Sequence, residues 1–336
     1  MDISKNILDV TKEYDSPRYS LKINGVHCAP VGGLHIITGQ SGHGKTNLET
    51  QLMAAYLGDT SHAMEYSLEG IKPKLLFCDT EMEPENTMMV NLRVCAMTGR
   101  EYHTPYEDFT IMVLRGETTA EARWLKILKG IKDYMPTAVF IDGMIDIVAD
   151  FNDNKQCQDI IFEMMALATF YDIDLWVVLH QNPGSEKMVG HAGSFLERKA
   201  TDVFRVKKDK TAGYAKFIIE QIKARGKDVP EVQFIIDDMG GQYPFGMPQV
   251  INAPTPEQAE AEKSIDLAQL VREVITTKEG ITTRDLREAL KAKLKLGSKK
   301  TDELMWKLED EKYVFRNENK RYFLNTEVIE NPNFPF

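Results

Sequence analysis

The chain has no apolar run approaching the 18 or so residues of a membrane-spanning helix, so no helical span is expected. Its opening, Met1-Asp2-Ile3-Ser4-Lys5, lacks a basic stretch followed by an apolar one. No secretory signal is therefore expected, and the expected location is cytoplasmic, with no membrane partner. Cysteine is scarce. Cys28, Cys78, Cys95 and Cys157 show no metal-ligand spacing and read as free thiols of a reducing compartment. Positive charge is in deficit: 41 Lys and Arg against 51 Asp and Glu leave a net charge of −10. That argues against a surface coated in basic residues for nucleic acid. The deficit is uneven, because residues 264–325 hold fourteen basic and eleven acidic residues, a balance of +3 against −13 elsewhere. This tail reads as a separate unit. There is no internal repeat and no low-complexity tract.

What is present is an alternation. Apolar strands are expected at 33–38, 74–78, 109–114, 138–142 and 175–180, with helical stretches at 45–57, 120–135 and 156–171 between them. Continuous apolar strands alternating with helices indicate a parallel sheet covered on both faces. Strands at 202–206, 216–223 and 232–237 have short connections and suggest antiparallel additions to one edge. The expected organisation is a lead-in or oligomerisation segment over 1–30, with a possible short helix at 3–10. An α/β core follows over 31–240, then a Gly- and Pro-rich linker over 241–263, a small unit over 264–326 and a tail over 327–336.

The run Gly39-Gln40-Ser41-Gly42-His43-Gly44-Lys45-Thr46, followed by Asn47, fits the pattern G-x-x-x-x-G-K-[ST] between a strand and a helix. Backbone N–H groups of such a loop cradle phosphate oxygens at a helix N-terminus. Lys45 is placed to reach the β- and γ-phosphates and Thr46 to hold Mg²⁺, so ATP and magnesium are the expected cofactors. Ala138-Val139-Phe140-Ile141-Asp142 is an apolar strand ending in an acid that can also hold the metal, with Asp146 a weaker candidate. The next residue is Gly143, so no glutamate follows Asp142 to act as a base. Glu81, after the strand Leu75-Leu76-Phe77-Cys78-Asp79, is a carboxylate that could orient a water against the γ-phosphate. A solvated acid in the acid-rich 81–85 loop is the plain alternative.

This combination resembles the RecA superfamily, and within it the RepA- and DnaB-like hexameric helicases and their KaiC and RadA relatives. The resemblance covers about residues 15–240. It implies a three-layer αβα RecA-like core with a mainly parallel central sheet, and Glu81 as the base. It also implies that Gln181 or His180, ending the strand from Leu175, senses the γ-phosphate. The glycine-bearing stretch from Asn182 to Phe195 would then be a loop meeting single-stranded DNA, through Lys187 and His191. The segment Lys223-Ala224-Arg225-Gly226 looks like the strand end that such proteins insert into a neighbour's ATP site, Arg225 first and Lys223 second. A homo-oligomer, in ring form, is implied. The short lead-in is more like compact RepA proteins than DnaB ones.

In the tail, three helices (266–276, 283–294 and 298–311) and a hairpin at 313–324 resemble a winged helix, with Ser298 a candidate N-cap. Lys299, Lys300 and Lys307 on its third helix, with Arg316, Lys320 and Arg321 on the wing, are candidates for phosphate contacts. A protein-docking module is the alternative, and Trp306 is expected in the core. The expected function is an ATP-hydrolysing oligomeric DNA motor, as in a plasmid or other mobile element. A RecA- or KaiC-like recombination or regulatory ATPase, and an ATP-switched DNA-binding or adaptor protein, are the alternatives.

Overall fold

The computed structural model describes residues 7–8, 10–11, 17–58, 63–209, 215–251, 267–277, 280–294, 298–310, 312–318 and 320–326. The helix expected at 3–10 falls for the most part outside them. No helix among the described residues is long and apolar enough to cross a membrane. The chain divides into two compact units, residues 1–254 and 255–336.

The first unit is built on strands β1 (Tyr19–Ile23), β2 (Val26–Pro30), β3 (Leu34–Gly39), β4 (Met64–Tyr66), β5 (Leu75–Asp79), β6 (Phe109–Val113), β7 (Ala138–Asp142), β8 (Asp174–His180), β9 (Asp202–Asp209), β10 (Lys216–Lys223), β11 (Val232–Asp237) and β12 (Met247–Val250). Helices α1 (Lys45–Tyr56), α2 (Pro84–Thr98), α3 (Ala120–Tyr134), α4 (Asn154–Tyr171) and α5 (Gly190–Lys199) connect them. Nine strands form one sheet in the order β12-β11-β10-β9-β3-β8-β7-β5-β6. From β9 to β6 all pairings are parallel, and from β9 to β12 all are antiparallel. This is the expected α/β core with a mainly parallel central sheet. The expectation for the strand from Asp202 is corrected: it joins β3 in parallel, and the antiparallel additions start beyond it. Met247–Val250, in the stretch expected to be linker, is instead the last edge strand, a place where Pro248 removes no ladder bond from a central strand.

Period-two alternation along the buried strands feeds two cores. Ile37, Phe77, Phe140, Trp176 and Phe204 face α1 and α2. Ile36, Leu76, Ile141 and Val177 face α3, α4 and α5. A small antiparallel sheet β2-β1-β4, not foreseen at β2 and β4, covers α1 from outside. Ten of the twelve α1 residues are therefore buried, which fits a helix with apolar residues on all sides. Two of the helices that face water have their start marked by a side-chain cap. Thr119 accepts from Ala122 N–H ahead of α3, and Asp153 from Lys155 and Gln156 N–H ahead of α4.

The second unit holds α6 (Leu267–Val274), β13 (Ile281–Thr282), α7 (Thr283–Leu294), α8 (Ser298–Asp310), β14 (Val314–Arg316) and β15 (Arg321–Leu324), with an antiparallel sheet β13-β15-β14. Leu270, Val271, Leu286, Leu290, Met305, Leu308 and Val314 make its core. Trp306, expected there, is 64% exposed. Thr301, Met305 and Leu308 already form the inward stripe of α8, and Trp306 sits about 100° around the helix from Met305.

Candidate functional site

Strand register brings the candidate residues together. Gly39 pairs with His180, Asp142 with Val178 and Asp79 with Asp142, so the C-terminal tips of β3, β8, β7 and β5 lie side by side. The loop from Gly39 to Thr46 rises from β3 and opens α1 at their centre. Gly44 has φ 87°, and a Cβ there would stand 2.9 Å from the Phe217 ring, so both backbone and space call for glycine. Lys45 is buried and donates to the carbonyls of Gly39 and Gln40 at 3.1 Å, folded back over its own loop. Burial lowers its pKa, while the Asp142 and Glu81 carboxylates oppose that. Ser41, Gly42 and His43 form the outer turn, with His43 N–H bonded to Gln40 O. Asn47 is the third residue of α1, where its Oδ1 is buried without a partner.

Thr46 Oγ1 lies 3.5 Å from Asp142 Oδ2. Asp142 is 4% exposed. Burial, then the nearby Glu81 and Asp79 carboxylates, push its pKa up to about 7, with Lys45 and His180 opposing. A hydroxyl and a buried carboxylate short of positive charge are hard oxygen donors that fit a magnesium ion. Asp146, the weaker metal candidate, is turned away: its carboxylate accepts from Thr80 Oγ1 at 2.9 Å and lies 3.9 Å from Arg123.

Glu81 projects from the β5 tip into the same space. Asp79 is buried and sets the turn, its Oδ1 accepting from Glu81 and Met82 N–H and its Oδ2 from Thr87 Oγ1. His180 Nε2 stands 3.3 Å from Glu81 Oε1. That contact, against the opposing effect of burial, holds the Glu81 carboxyl below its ordinary pKa. The absent glutamate after Asp142 has a steric reason. Gly143 has φ 106°, and a Cβ there would meet Thr80 Oγ1 at 2.1 Å and Glu81 Cγ at 2.9 Å. Sequence reading missed Asp79, Thr80, Arg115 and Arg123. Arg115 pairs with Glu83 at 2.9 Å and donates to the Glu81 carbonyl. With Arg123, Ile145 and Asp146 it lines a cleft of about 500 Å³ beside Glu81. The only sequence signal was the D-T-E run at the β5 tip.

Gln181 is buried at the end of β8, its N–H bonded to Gly39 O and its side-chain amide donating to Glu186 O. It thus ties the loop strand to the segment that follows. That segment is shorter than expected. Residues 182–189 form the loop, whereas Gly190 to Phe195 open α5. Gly193 is there for packing, since a Cβ would lie 2.5 Å from Met188 Cβ. Lys187 on the loop and His191 on the helix are exposed.

Lys223 and Arg225 are not part of this cluster. Lys223 pairs with Val203, the β9 residue beside Ile36, so it lies about 10 Å down the sheet from Gly39. Lys223 Nζ donates to Glu197 O at 2.6 Å and Arg198 O at 2.9 Å, closing the α5 C-terminus. Exposed Arg225 approaches Lys199 O at 3.5 Å. In the second unit Arg316 donates to Thr283 Oγ1 at 3.2 Å and stacks 5.5 Å from the Tyr322 ring centre. Lys320 is exposed, and Arg321 is half-buried with Nε lacking a partner. The side chains of Lys299 and Lys300 lie outside the described residues.

No protein-family model and no curated protein matches the chain. Among solved structures it is similar to a KaiC-like protein from the hyperthermophilic archaeon Pyrococcus horikoshii OT3, at 14% identity and a TM-score of 0.48, over 68% of this chain and 93% of that one.

Proposed function

We propose that the protein is a magnesium-dependent ATPase that works as an oligomeric, ring-forming motor on single-stranded DNA, of the RepA or DnaB kind. One observation carries the reading. Lys45, Thr46, Asp142, Glu81 and His180 converge at one end of the sheet, while Arg225 and Lys223 sit at the other end and cannot serve their own loop. A cation so placed fits a neighbour's site, which a ring or filament supplies.

On binding ATP, Lys45 leaves the Gly39 and Gln40 carbonyls for the β- and γ-phosphates. Thr46 and Asp142 would hold a magnesium ion, which would supply charge neutralisation to the phosphates. Glu81 accepts a hydrogen bond from the attacking water and orients it in line, with His180 fixing the carboxylate. Arg225 of the next subunit meets the charge on the transferring phosphoryl group, with Lys223 behind it. Gln181 carries the change at the γ-phosphate to the 182–189 loop, where Lys187, and His191 beyond it, meet the strand. The second unit, read as a winged helix, offers Arg316, Lys320, Arg321, Lys299 and Lys300 to duplex DNA or to a protein.

Steady-state ATPase with and without single-stranded DNA, with Lys45→Ala as the blank, tests the reading. Stimulation by single strands that the blank lacks is the expected result. Turnover indifferent to any DNA overturns the motor and leaves a regulatory ATPase or adaptor. Glu81→Gln is expected to lower kcat about 10²- to 10⁴-fold while nucleotide binding persists.

A further inference from the structure

Glu81 is held at three points. Its N–H donates to Asp79 Oδ1 at 3.0 Å, and its carboxylate meets His180 Nε2. Its carbonyl accepts from Arg115 Nη1, while Nη2 of the same guanidinium pairs with Glu83 Oε1 at 2.9 Å. The third hold comes from outside the cluster around the phosphate-binding loop. Arg115 follows β6, the edge strand of the sheet, just past Val113, which pairs with Asp79. Leu114 N–H donates to Asp79 O at 2.7 Å and so brings the next residue to the end of β5.

Arg115 is itself anchored. Arg123, in the first turn of α3, donates from Nε to Leu114 O at 3.3 Å and from Nη2 to Arg115 O at 3.4 Å. Its Nη1 donates to Asp146 O at 3.1 Å. The Asp146 carboxylate accepts from the hydroxyl of Thr80, the residue before Glu81. A circuit of polar contacts thus runs round the cleft beside Glu81, from Thr80 through Asp146, Arg123 and Arg115 to Glu81. The two arginines differ in exposure. The Arg123 side chain is 19% exposed, whereas that of Arg115 is 52% exposed and its partner Glu83 51%. An ion pair so open to water contributes little to stability. What it can still fix is direction. With both the N–H and the carbonyl of Glu81 held, the backbone that carries its Cβ has one orientation, and the planar fork of an arginine suits two acceptors at once.

We propose that Arg115 is a positioning residue for Glu81: its fork holds the Glu81 carbonyl and the Glu83 carboxylate together, and so aims the Glu81 side chain at the phosphate-binding loop. The role rests on the reading of Glu81 as the group that orients the attacking water, and it is exerted through Glu81 alone.

Steady-state ATPase, nucleotide affinity and melting temperature of Arg115→Ala, Arg115→Lys, Glu81→Gln and the double variant Arg115→Ala/Glu81→Gln, with and without single-stranded DNA, test this. Arg115→Ala is expected to keep the melting temperature and nucleotide affinity of the wild type and to lower kcat about 10- to 100-fold. Arg115→Lys keeps the charge but reaches one acceptor at a time, and is expected to recover part of that loss. In the Glu81→Gln background Arg115→Ala should cost at most about two-fold more, since nothing is left to aim. A kcat of Arg115→Ala within about two-fold of wild type, or the same fold-loss in both backgrounds, overturns the proposal. So does a joint fall in melting temperature and nucleotide affinity, which makes Arg115 a residue of the fold. Wild type without turnover, or Glu81→Gln with wild-type kcat, removes the reading of Glu81 and this role with it. A slow Glu81→Gln beside an unimpaired Arg115→Ala removes the positioning role alone.

Discussion

Gly143 shows how one missing atom limits where the proposed base can stand. Thr80 and Glu81 fill the space that a side chain after Asp142 would need, so the carboxylate proposed as the base comes from the neighbouring strand tip. Gly143→Ala is expected to lose roughly 1–3 kcal/mol of stability through its positive φ. It should lower kcat about a hundred-fold by displacing Glu81, read by thermal unfolding and ATPase rate. Asp142 gives a pH prediction. Its folded-state pKa of about 7 lies above the ordinary 3.8, so the nucleotide-free protein loses stability as pH rises through that interval. Asp142→Asn should flatten this slope. Magnesium needs the ionised form, so its binding releases protons, and stabilisation by magnesium and nucleotide grows from about pH 6 to about pH 8. Melting temperatures across pH, with and without both ligands, check the sign.

At the scale of elements, the N-terminal ends of β3, β8 and β9 are joined by His35, Asp174 and Asp202. Because the His35 pKa of about 9 exceeds the ordinary 6.5, the stabilisation is complete below 6.5 and fades as pH climbs through 9. Its size is on the order of 3 kcal/mol. Denaturant unfolding of wild type and His35→Gln between those pH values should show the slope only in the wild type. None of this was legible beforehand, because the three residues are 139 and 167 positions apart and only the parallel register brings them together. The alternating strands and helices, the phosphate-binding loop and the Asp142 strand were legible, since each is a local pattern of apolar period and glycine. The edge strand from Met247 hid within proline-rich sequence, and the first turns of α5 hid behind Gly190, which packs against Phe151, and Gly193, which packs against Met188. Trp306 misled through its size, because the inward stripe of α8 was already filled by smaller residues.

For the whole molecule, the separation of the loop from Arg225 predicts complementation. Lys45→Ala and Arg225→Ala should each be inactive alone. Mixed one to one, they should recover activity, because about a quarter of heterologous interfaces then combine an intact loop with an intact cation. ATPase measured over mixing ratios checks this, and a flat zero would mean that Arg225 is not delivered in trans. The route between the two ends is short and stiff. Helix α5 starts just past the segment that Gln181 grips and finishes where Lys223 seizes its last carbonyls, spanning about 15 Å. In the proposed ring it would act as a push-rod between consecutive ATP sites. Such rods would set a firing order, so that each subunit's spent nucleotide would time the next one's shot.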